Sequence, residues 1–210
     1  MARTRLLNED RIVEAALALI EERGIDALTM RELGRRLGVE GMALYTYFRS
    51  KSDLLDAAAE RILEELDSDF DRSLLWQERV RRGTAAWAEL QRRHPRAFPL
   101  VYRRGARTDA VSLLTEELLD ALRSAGFDER AAALAYQSLI VLVDAALLGR
   151  SSWTDAELHA AWRRGAKEAD PERFPRFREI APHAATLSWN EILDSGLDLV
   201  LGGLGQRLEV

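Results

Sequence analysis

The chain has 210 residues, of which 47% are hydrophobic, enough to bury a sizeable core and to exclude global disorder. It contains no cysteine, which excludes disulfides, thiolate metal sites and a cysteine nucleophile. Charges interrupt the first twenty residues and no run of about 18 apolar residues is found, so the sequence predicts a soluble, cytoplasmic protein with no membrane partner.

The net charge of −5 argues against a polyanionic partner, but the charge is unevenly distributed. Residues 1–55 hold nine basic and nine acidic side chains, so they are neutral overall. Residues 28–52 hold five basic side chains against two acidic ones, a local excess suited to phosphate contacts that act over short distances in salt. The alternative is a solvated surface with no binding role, which can have a similar composition. The five basic residues are Arg31, Arg35, Arg36, Arg49 and Lys51.

Leucine and alanine dominate the chain and no alternating strand pattern persists, so we predict an all-α fold. In the N-terminal part, residues that can cap a helix precede three of the predicted helices, and a glycine follows the first two. The predicted helices here run from the cap Asn8 to Gly24, from the cap Thr29 to Gly38, from about Gly41 to Phe48, and from Lys51, after the cap Ser50, to about Asp71.

In the second part, prolines and glycines again set the predicted ends. The most apolar segment is 128–148, and because apolar side chains surround it, it must be covered on more than one side. The residues 169–185 carry three prolines and are predicted to form a loop with at most one helical turn. The predicted helices are Trp76–Arg93, Arg96–Tyr102, Asp109–Ala125, Asp128–Leu148, Asp155–Lys167 and Ser188–Leu201, the last loosened by Gly202, Gly203 and Gly205.

The segment 28–55 predicts a helix-turn-helix. Two short helices meet at Gly38, which supplies the unusual dihedrals that such a turn needs. The small residues Gly41 and Ala43 would let the second backbone approach the major groove, and Thr46 and Tyr47 offer hydroxyls to phosphates or base edges. The same spacing also fits an ordinary helical hairpin within a bundle.

Residues 8–56 resemble the N-terminal signature of the TetR family of transcriptional regulators, in which a helix ending in glycine precedes LT-x-R-x-L-x-x-x-L-G-V, ALY-x-Y/H-F and x-S/N-K-x-x-LL. One departure is Gly41–Met42, where relatives often carry a proline or serine–proline start. The matching residues are Gly24, Leu28, Thr29, Arg31, Leu33, Leu37, Gly38, Val39, Ala43, Leu44, Tyr45, Tyr47, Phe48, Ser50, Lys51, Leu54 and Leu55.

The resemblance implies a DNA-binding domain at residues 1–55 and a ligand-binding and dimerisation domain at residues 56–210. It also implies double-stranded operator DNA as a partner. The implied phosphate contacts are Thr29, Thr46, Tyr47 and Lys51; the implied base contacts are Arg31, Met42 and Tyr45; and Gly41 and Ala43 would lie closest to the groove.

The closing segment SGLDLVLGGLGQRL resembles the last helix of the tetracycline-repressor-like subgroup, in which two helices pair with their dimer mates. The resemblance therefore implies a homodimer formed by about 128–148 and 188–204. A monomer that buries both helices internally is the alternative. The expected interface residues are Leu139, Val141, Leu142, Ala145, Leu193, Leu197 and Val200.

Aromatic and polar side chains at helical spacing predict a mostly hydrophobic pocket for a small-molecule effector, although such aromatics are more often simple core. The three histidines are too far apart in sequence for a metal site, and we expect no cofactor, no tetracycline site and no catalytic constellation. The expected pocket residues are Trp87, Gln91, His94, Phe98, Tyr102, Leu114, Leu118, Tyr136 and Gln137.

Three functions remain open from the sequence. The first is a repressor that a ligand releases from DNA, the second a dimeric DNA-binding regulator with no inducer, and the third a helical pocket protein without a regulatory role. Salt-dependent binding to duplex DNA separates the third from the other two.

Overall fold

The computed structural model describes residues 7–66, 70–104 and 109–208, and every regular element in these ranges is a helix. The all-α prediction is therefore confirmed. In chain order the helices are α1 (Glu9–Arg23), α2 (Met30–Leu37), α3 (Lys51–Leu63), α4 (Trp76–Arg93), α5 (Pro99–Arg104), α6 (Asp109–Ser124), α7 (Glu129–Ser152), α8 (Asp155–Glu168), α9 (Pro175–Ala184) and α10 (Trp189–Gln206), with 3₁₀ turns at Ile25–Ala27 and Gly41–Thr46.

The chain forms two compact units, whose limits differ from the single domain boundary predicted after residue 55. The first unit comprises residues 1–70 and 85–117, and the second comprises residues 71–84 and 118–210. The boundaries fall inside α4 and α6, because one end of each of these helices contributes to each unit. Residues 85–117 are thus part of the same unit as the helix-turn-helix.

Caps read from the sequence begin the first three helices as predicted. Backbone N–H groups of Arg11, Glu32 and Asp53 donate to the side-chain oxygens of Asn8, Thr29 and Ser50 respectively, which satisfies donors that a helix start leaves without partners. The core of the first unit is apolar and comes from all of these helices. Fully buried members include Ile12, Leu19, Ile20, Leu28, Leu33, Leu44, Leu54, Ile62 and Leu63.

Several predicted boundaries are wrong. Helix α5 begins at Pro99, three residues later than predicted, and α7 continues to Ser152, four residues beyond its predicted end. The larger errors concern α3, α9 and α10. Helix α3 ends at Leu63, eight residues early, because the chain turns there and the Glu65 carboxylate binds Arg93 of α4; residues 67–69 of that prediction lie outside the described residues. The predicted loop 169–185 contains α9, since Pro175 occupies the first turn, where a missing N–H costs nothing. The predicted fraying after Leu201 does not occur, and α10 continues through its three glycines to Gln206.

Helices α7 and α10 form the centre of the second unit. Their contact includes Gly196 of α10, where an added Cβ would lie 2.9 Å from the Leu142 side chain of α7. The end of α7 also lies against the start of α10, because a Cβ on Gly149 would overlap the Trp189 indole. Side chains from both helices, including Leu139, Leu193 and Leu197, are buried in this core.

Residues 129–150 of α7 are long and apolar enough to cross a membrane, judged by length and composition alone. The sequence has no uninterrupted run of about 18 apolar residues, but the average over this helix tolerates an isolated charge such as Asp144. The core helix of a soluble protein can be equally long and apolar. Only a third of this stretch is buried, so α7 presents apolar surface beyond what α10 covers.

Candidate nucleic-acid interface

The turn between α2 and the 3₁₀ segment at Gly41–Thr46, called the reading segment below, has the geometry of a helix-turn-helix. Gly38 ends α2 with φ 73° and ψ 29°, a left-handed conformation that costs glycine little. The Gly38 N–H donates to the Arg35 carbonyl and the Val39 N–H to the Gly34 carbonyl, which closes the helix end. The predicted third helix is therefore present as a 3₁₀ turn that stops at Thr46.

Two glycines determine how closely α2 and the reading segment approach. A Cβ on Gly34 would lie 2.8 Å from the Gly41 backbone nitrogen and from the Val39 carbonyl oxygen. A Cβ on Gly41 would lie 3.0 Å from the Met30 carbonyl oxygen. Sequence reasoning assigned Gly41 to groove approach and missed Gly34, although a glycine inside a helix calls for a packing reason.

Outward-facing side chains of the reading segment are large and exposed. Met42 is 76% exposed and Tyr45 is 44% exposed, while Leu44 between them is fully buried and fixes the segment on the core. Arg31 lies beside the start of this segment, because its Cα is 3.1 Å from the position of a Cβ on Gly41. The structure thus brings the three predicted base-contacting residues to one exposed surface.

The five basic residues of the predicted patch fall into two groups. Arg36 forms a bidentate pair with Glu22 of α1, with N–O distances of 2.5 and 2.7 Å. Arg35 forms a second bidentate pair with Glu32, at 2.6 and 3.0 Å, and Glu32 also binds Arg23 at 3.0 Å. These hydrogen bonds from arginine lower the pKa of both carboxyl groups from their ordinary values.

The other three basic residues, Arg31, Arg49 and Lys51, form no hydrogen bond or ion pair with any residue that the structure describes. Arg31 and Arg49 are exposed, and Lys51 is partly exposed in the first turn of α3. The charge available to phosphates is therefore smaller than the sequence count indicated, and it is concentrated around the reading segment.

Among the four predicted phosphate contacts, Tyr47 differs from the expectation. Its hydroxyl donates to the carbonyl oxygen of Leu7, at 2.9 Å, just before α1. A phenol has one hydrogen, so this bond competes with donation to a phosphate. Thr29 accepts from the Glu32 N–H at 3.1 Å, which leaves its own hydroxyl hydrogen to donate, and Thr46 is exposed. The remaining predicted residue, Ala43, is partly exposed.

The predicted pocket residues of the first unit are packed together or buried. Trp87, Phe98 and Tyr102 form a cluster of three edge-to-face rings with centroids 5.3–6.4 Å apart, and the Trp87 indole N–H donates to the Tyr102 hydroxyl at 3.3 Å. Gln91 and Leu114 are buried, and His94 Nε2 lies 3.1 Å from Glu65 Oε2. In the second unit Leu118 is buried, Tyr136 packs against a buried core cluster that includes Phe127, and Gln137 is exposed.

A turn at residues 95–98 joins this aromatic cluster to α1. The Arg96 guanidinium donates to the Glu22 carbonyl at 2.5 Å, and the Glu21 carboxylate accepts the backbone N–H groups of Arg96 and Ala97 at 3.2 and 2.9 Å. Because Phe98 follows directly, the end of α1 is hydrogen-bonded to the segment that carries the rings. This link was not visible in the sequence, since its partners are about 75 residues apart.

The expected dimer residues are divided between core and surface. Leu139, Leu193 and Leu197 are buried within the single chain, because one side of α7 packs against α10. Leu142 and Val200 are partly buried. Val141, which is 66% exposed, and Ala145 remain on the surface.

The geometry defines a helix-turn-helix DNA-binding protein, and comparison with known proteins agrees with it. Residues 12–58 match the family model described as bacterial regulatory proteins, tetR family. The chain is 30% identical to the tetracycline repressor protein class A from transposon 1721 of Escherichia coli, over 96% of this chain and 92% of that protein. The chain belongs to the TetR family of transcriptional regulators, which are DNA-binding proteins and not enzymes.

Solved structures extend this similarity over the whole chain. The Streptomyces coelicolor TetR family protein ActR, in complex with (S)-DNPA, is 25% identical with a TM-score of 0.75, covering 97% of this chain and 100% of that chain. BioQ with its natural double-stranded DNA operator is also 25% identical, with a TM-score of 0.65 over 96% and 99% of the two chains. Regulators of this family are soluble and intracellular and bind operator DNA.

Proposed function

We propose that the protein is a cytoplasmic, homodimeric repressor that binds a palindromic operator and is released from it by a small, mostly hydrophobic ligand. The observation that carries the proposal is the exposed reading segment, with Met42 and Tyr45 outward. Around it lie three cations that pair with no residue in the part of the chain that the structure describes. Such an arrangement suits base contacts in the major groove flanked by phosphate contacts. A palindrome follows because a two-fold dimer presents two identical reading segments.

Dimerisation is supported by apolar surface on the second unit. Leu134, Val141 and Leu148 are all exposed on α7 at seven-residue intervals, so they lie along one face of the helix. Leu199 of α10 is 76% exposed. An exposed apolar stripe of this kind is typical of surfaces that a second copy covers.

Release by a ligand requires that the ligand bind one arrangement of the dimer better than another. The complex of ActR with (S)-DNPA supports a ligand response, because a chain of similar fold binds a ligand there. The bonds from Arg96 and Ala97 to α1 provide a route by which movement of Phe98 would displace the helix-turn-helix.

A second candidate is a regulator without an inducer. The three rings of Trp87, Phe98 and Tyr102 contact one another, as side chains that fill their own space do. The two candidates share the same DNA interface and differ only in the response to ligand.

Substituting the available cations separates phosphate contacts from base contacts. The specific site is first selected from a pool of random duplexes. Lys51→Ala should weaken binding to this site and to random DNA about equally. It should also lower the slope of log K against log salt by about one. Arg31→Ala should cost roughly 1–3 kcal/mol, mainly on the selected site, because a base contact is lost. Fluorescence anisotropy at several salt concentrations measures both effects.

A matched control is Arg164→Ala on α8, which removes one exposed charge from the second unit and should leave the slope unchanged. Equal losses by Arg31→Ala on specific and random DNA would contradict the assignment of Arg31 to a base.

Widening the aromatic cluster tests the ligand response. Trp87→Ala removes one of the three rings and the donor to Tyr102, and we expect an altered response to inducer with nearly unchanged operator affinity in its absence. Operator release is titrated with a panel of hydrophobic compounds on both proteins. If no compound releases either protein, the inducer-free regulator is the correct candidate.

A further inference from the structure

The reading segment is a 3₁₀ turn, and this geometry arranges its side chains in rows. The Ala43 N–H donates to the Glu40 carbonyl oxygen at 2.9 Å, which is the three-residue spacing of such a turn. With three residues per turn, side chains three positions apart lie one above the other. Met42 and Tyr45 therefore form a single row.

The neighbouring row, Gly41 and Leu44, fixes which way the first row faces. Leu44 is fully buried, and a Cβ on Gly41 would lie 3.0 Å from the Met30 carbonyl oxygen of α2. This row is therefore held against the protein. Met42 and Tyr45 are 76% and 44% exposed, so their row is the one that DNA can reach.

The chemistry of Met42 limits what it can recognise on DNA. Its thioether sulfur is a weak hydrogen-bond acceptor and donates no hydrogen, so it is poorly suited to the donors and acceptors of the base edges. The apolar feature of the major groove is the 5-methyl group of thymine. An unbranched side chain with three rotatable bonds can adjust its contact to that methyl group.

The spacing within the row matches the spacing of base pairs. A 3₁₀ turn rises about 2.0 Å per residue, so Met42 and Tyr45 are about 6 Å apart along its axis. Base pairs are stacked about 3.4 Å apart, so two steps cover about 6.8 Å. A row that lies along the groove therefore meets base pairs two steps apart.

We propose that Met42 recognises a thymine in each half-site through its 5-methyl group, and that Tyr45 contacts the base pair two steps away. The proposal rests on the DNA-binding function proposed above and names the base that one of its contacts selects. Met42 carries no charge, so it contributes to the choice of sequence and not to the dependence of binding on salt.

The test replaces thymine by uracil, which lacks only the 5-methyl group. An operator is selected from random duplexes, each thymine is replaced in turn together with its symmetry mate, and binding is measured by fluorescence anisotropy. At one position the parent should lose affinity by about four-fold per half-site, the equivalent of one buried methyl group. Met42→Ala should bind the two duplexes equally, and Met42→Leu, which keeps an apolar side chain, should retain the discrimination.

The converse experiment adds a methyl group to a different base at the same position. Replacing cytosine there by 5-methylcytosine should raise the affinity of the parent by about four-fold per half-site and leave that of Met42→Ala unchanged. Leu75→Ala is the matched control, because Leu75 is 77% exposed and lies outside the reading segment. This control should keep the discrimination of the parent.

Tyr45→Phe, which removes only a hydroxyl group, tests the spacing. The base pair at which this variant loses its preference should lie two steps from the position that is sensitive to uracil. A different separation would overturn the register of the row.

A parent that binds thymine and uracil duplexes equally at every position would overturn the methyl contact. Discrimination that persists in Met42→Ala would overturn the role of Met42, because another residue would then contact the methyl group. If the parent showed no salt-dependent binding to any duplex, the DNA-binding function itself would fail, and the two kinds of failure are thus distinguished.

Discussion

A chain carrying Val141→Asp and Leu199→Asp is expected to be monomeric and to lose operator binding. Both side chains are exposed in the single chain, at 66% and 76%, so aspartate at either position leaves the monomer core intact. In a two-fold dimer each substitution occurs twice, and a carboxylate buried without a partner costs several kcal/mol. Operator affinity then falls by about 10²–10⁴ because the second reading segment is no longer held near its half-site.

Light scattering measures the mass, and circular dichroism verifies the retained helices. Leu113→Asp on α6 is the matched control, since it replaces another exposed leucine, outside α7 and α10, and should leave the dimer unchanged. A double variant that remains dimeric would place the interface elsewhere.

Gly34→Ala is expected to destabilise the helix-turn-helix by about 1–3 kcal/mol or more, the range for an overpacked interior. The added methyl would lie 2.8 Å from the Gly41 nitrogen and the Val39 oxygen, and these are backbone atoms that cannot rotate away. α2 and the reading segment must therefore separate. Denaturant unfolding measures the loss of stability, and anisotropy measures the accompanying loss of operator binding.

The same substitution at Gly205 in α10 is the control. A Cβ there has no heavy atom within 4 Å, so alanine should leave the stability unchanged or raise it by about 0.5–1 kcal/mol, as in an ordinary helix. A Gly34→Ala protein as stable as the parent would contradict the close-packing argument.

Local signals in the sequence predicted the first three caps, the turn at Gly38 and the helices α4, α6 and α8 to within a residue or two. Caps and turns involve residues three or four apart, so the sequence itself contains both partners. The errors at α9 and α10 have one cause. Proline and glycine ordinarily interrupt helices, but α9 forms with Pro175 and α10 continues through the glycines after Leu201. A proline in the first turn is harmless, and packing of Leu193, Leu197 and Leu201 in the core overrides weak propensity.

The parts of the interface that the sequence did not predict are contacts between distant residues. The pairing of Arg36 with Glu22 joins residues 14 apart, and the bond from Tyr47 to Leu7 joins residues 40 apart. No periodicity contains these pairs, and they appear only when α1, α2 and the reading segment are assembled. The sequence therefore predicted which residues are basic, but not which of them are already neutralised.

The neutralisation of Arg35 and Arg36 has a consequence for the search for a site on a chromosome. A genome offers about 10⁶–10⁹ competing nonspecific sites. Each cation that is available to phosphate increases the residence time of the protein at all of these sites equally. By holding two of five cations in bidentate pairs with Glu22 and Glu32, the fold weakens this indiscriminate attraction. The occupancy of the correct site then depends on base recognition by a few side chains. A smaller share of the regulator is therefore bound at nonspecific sites.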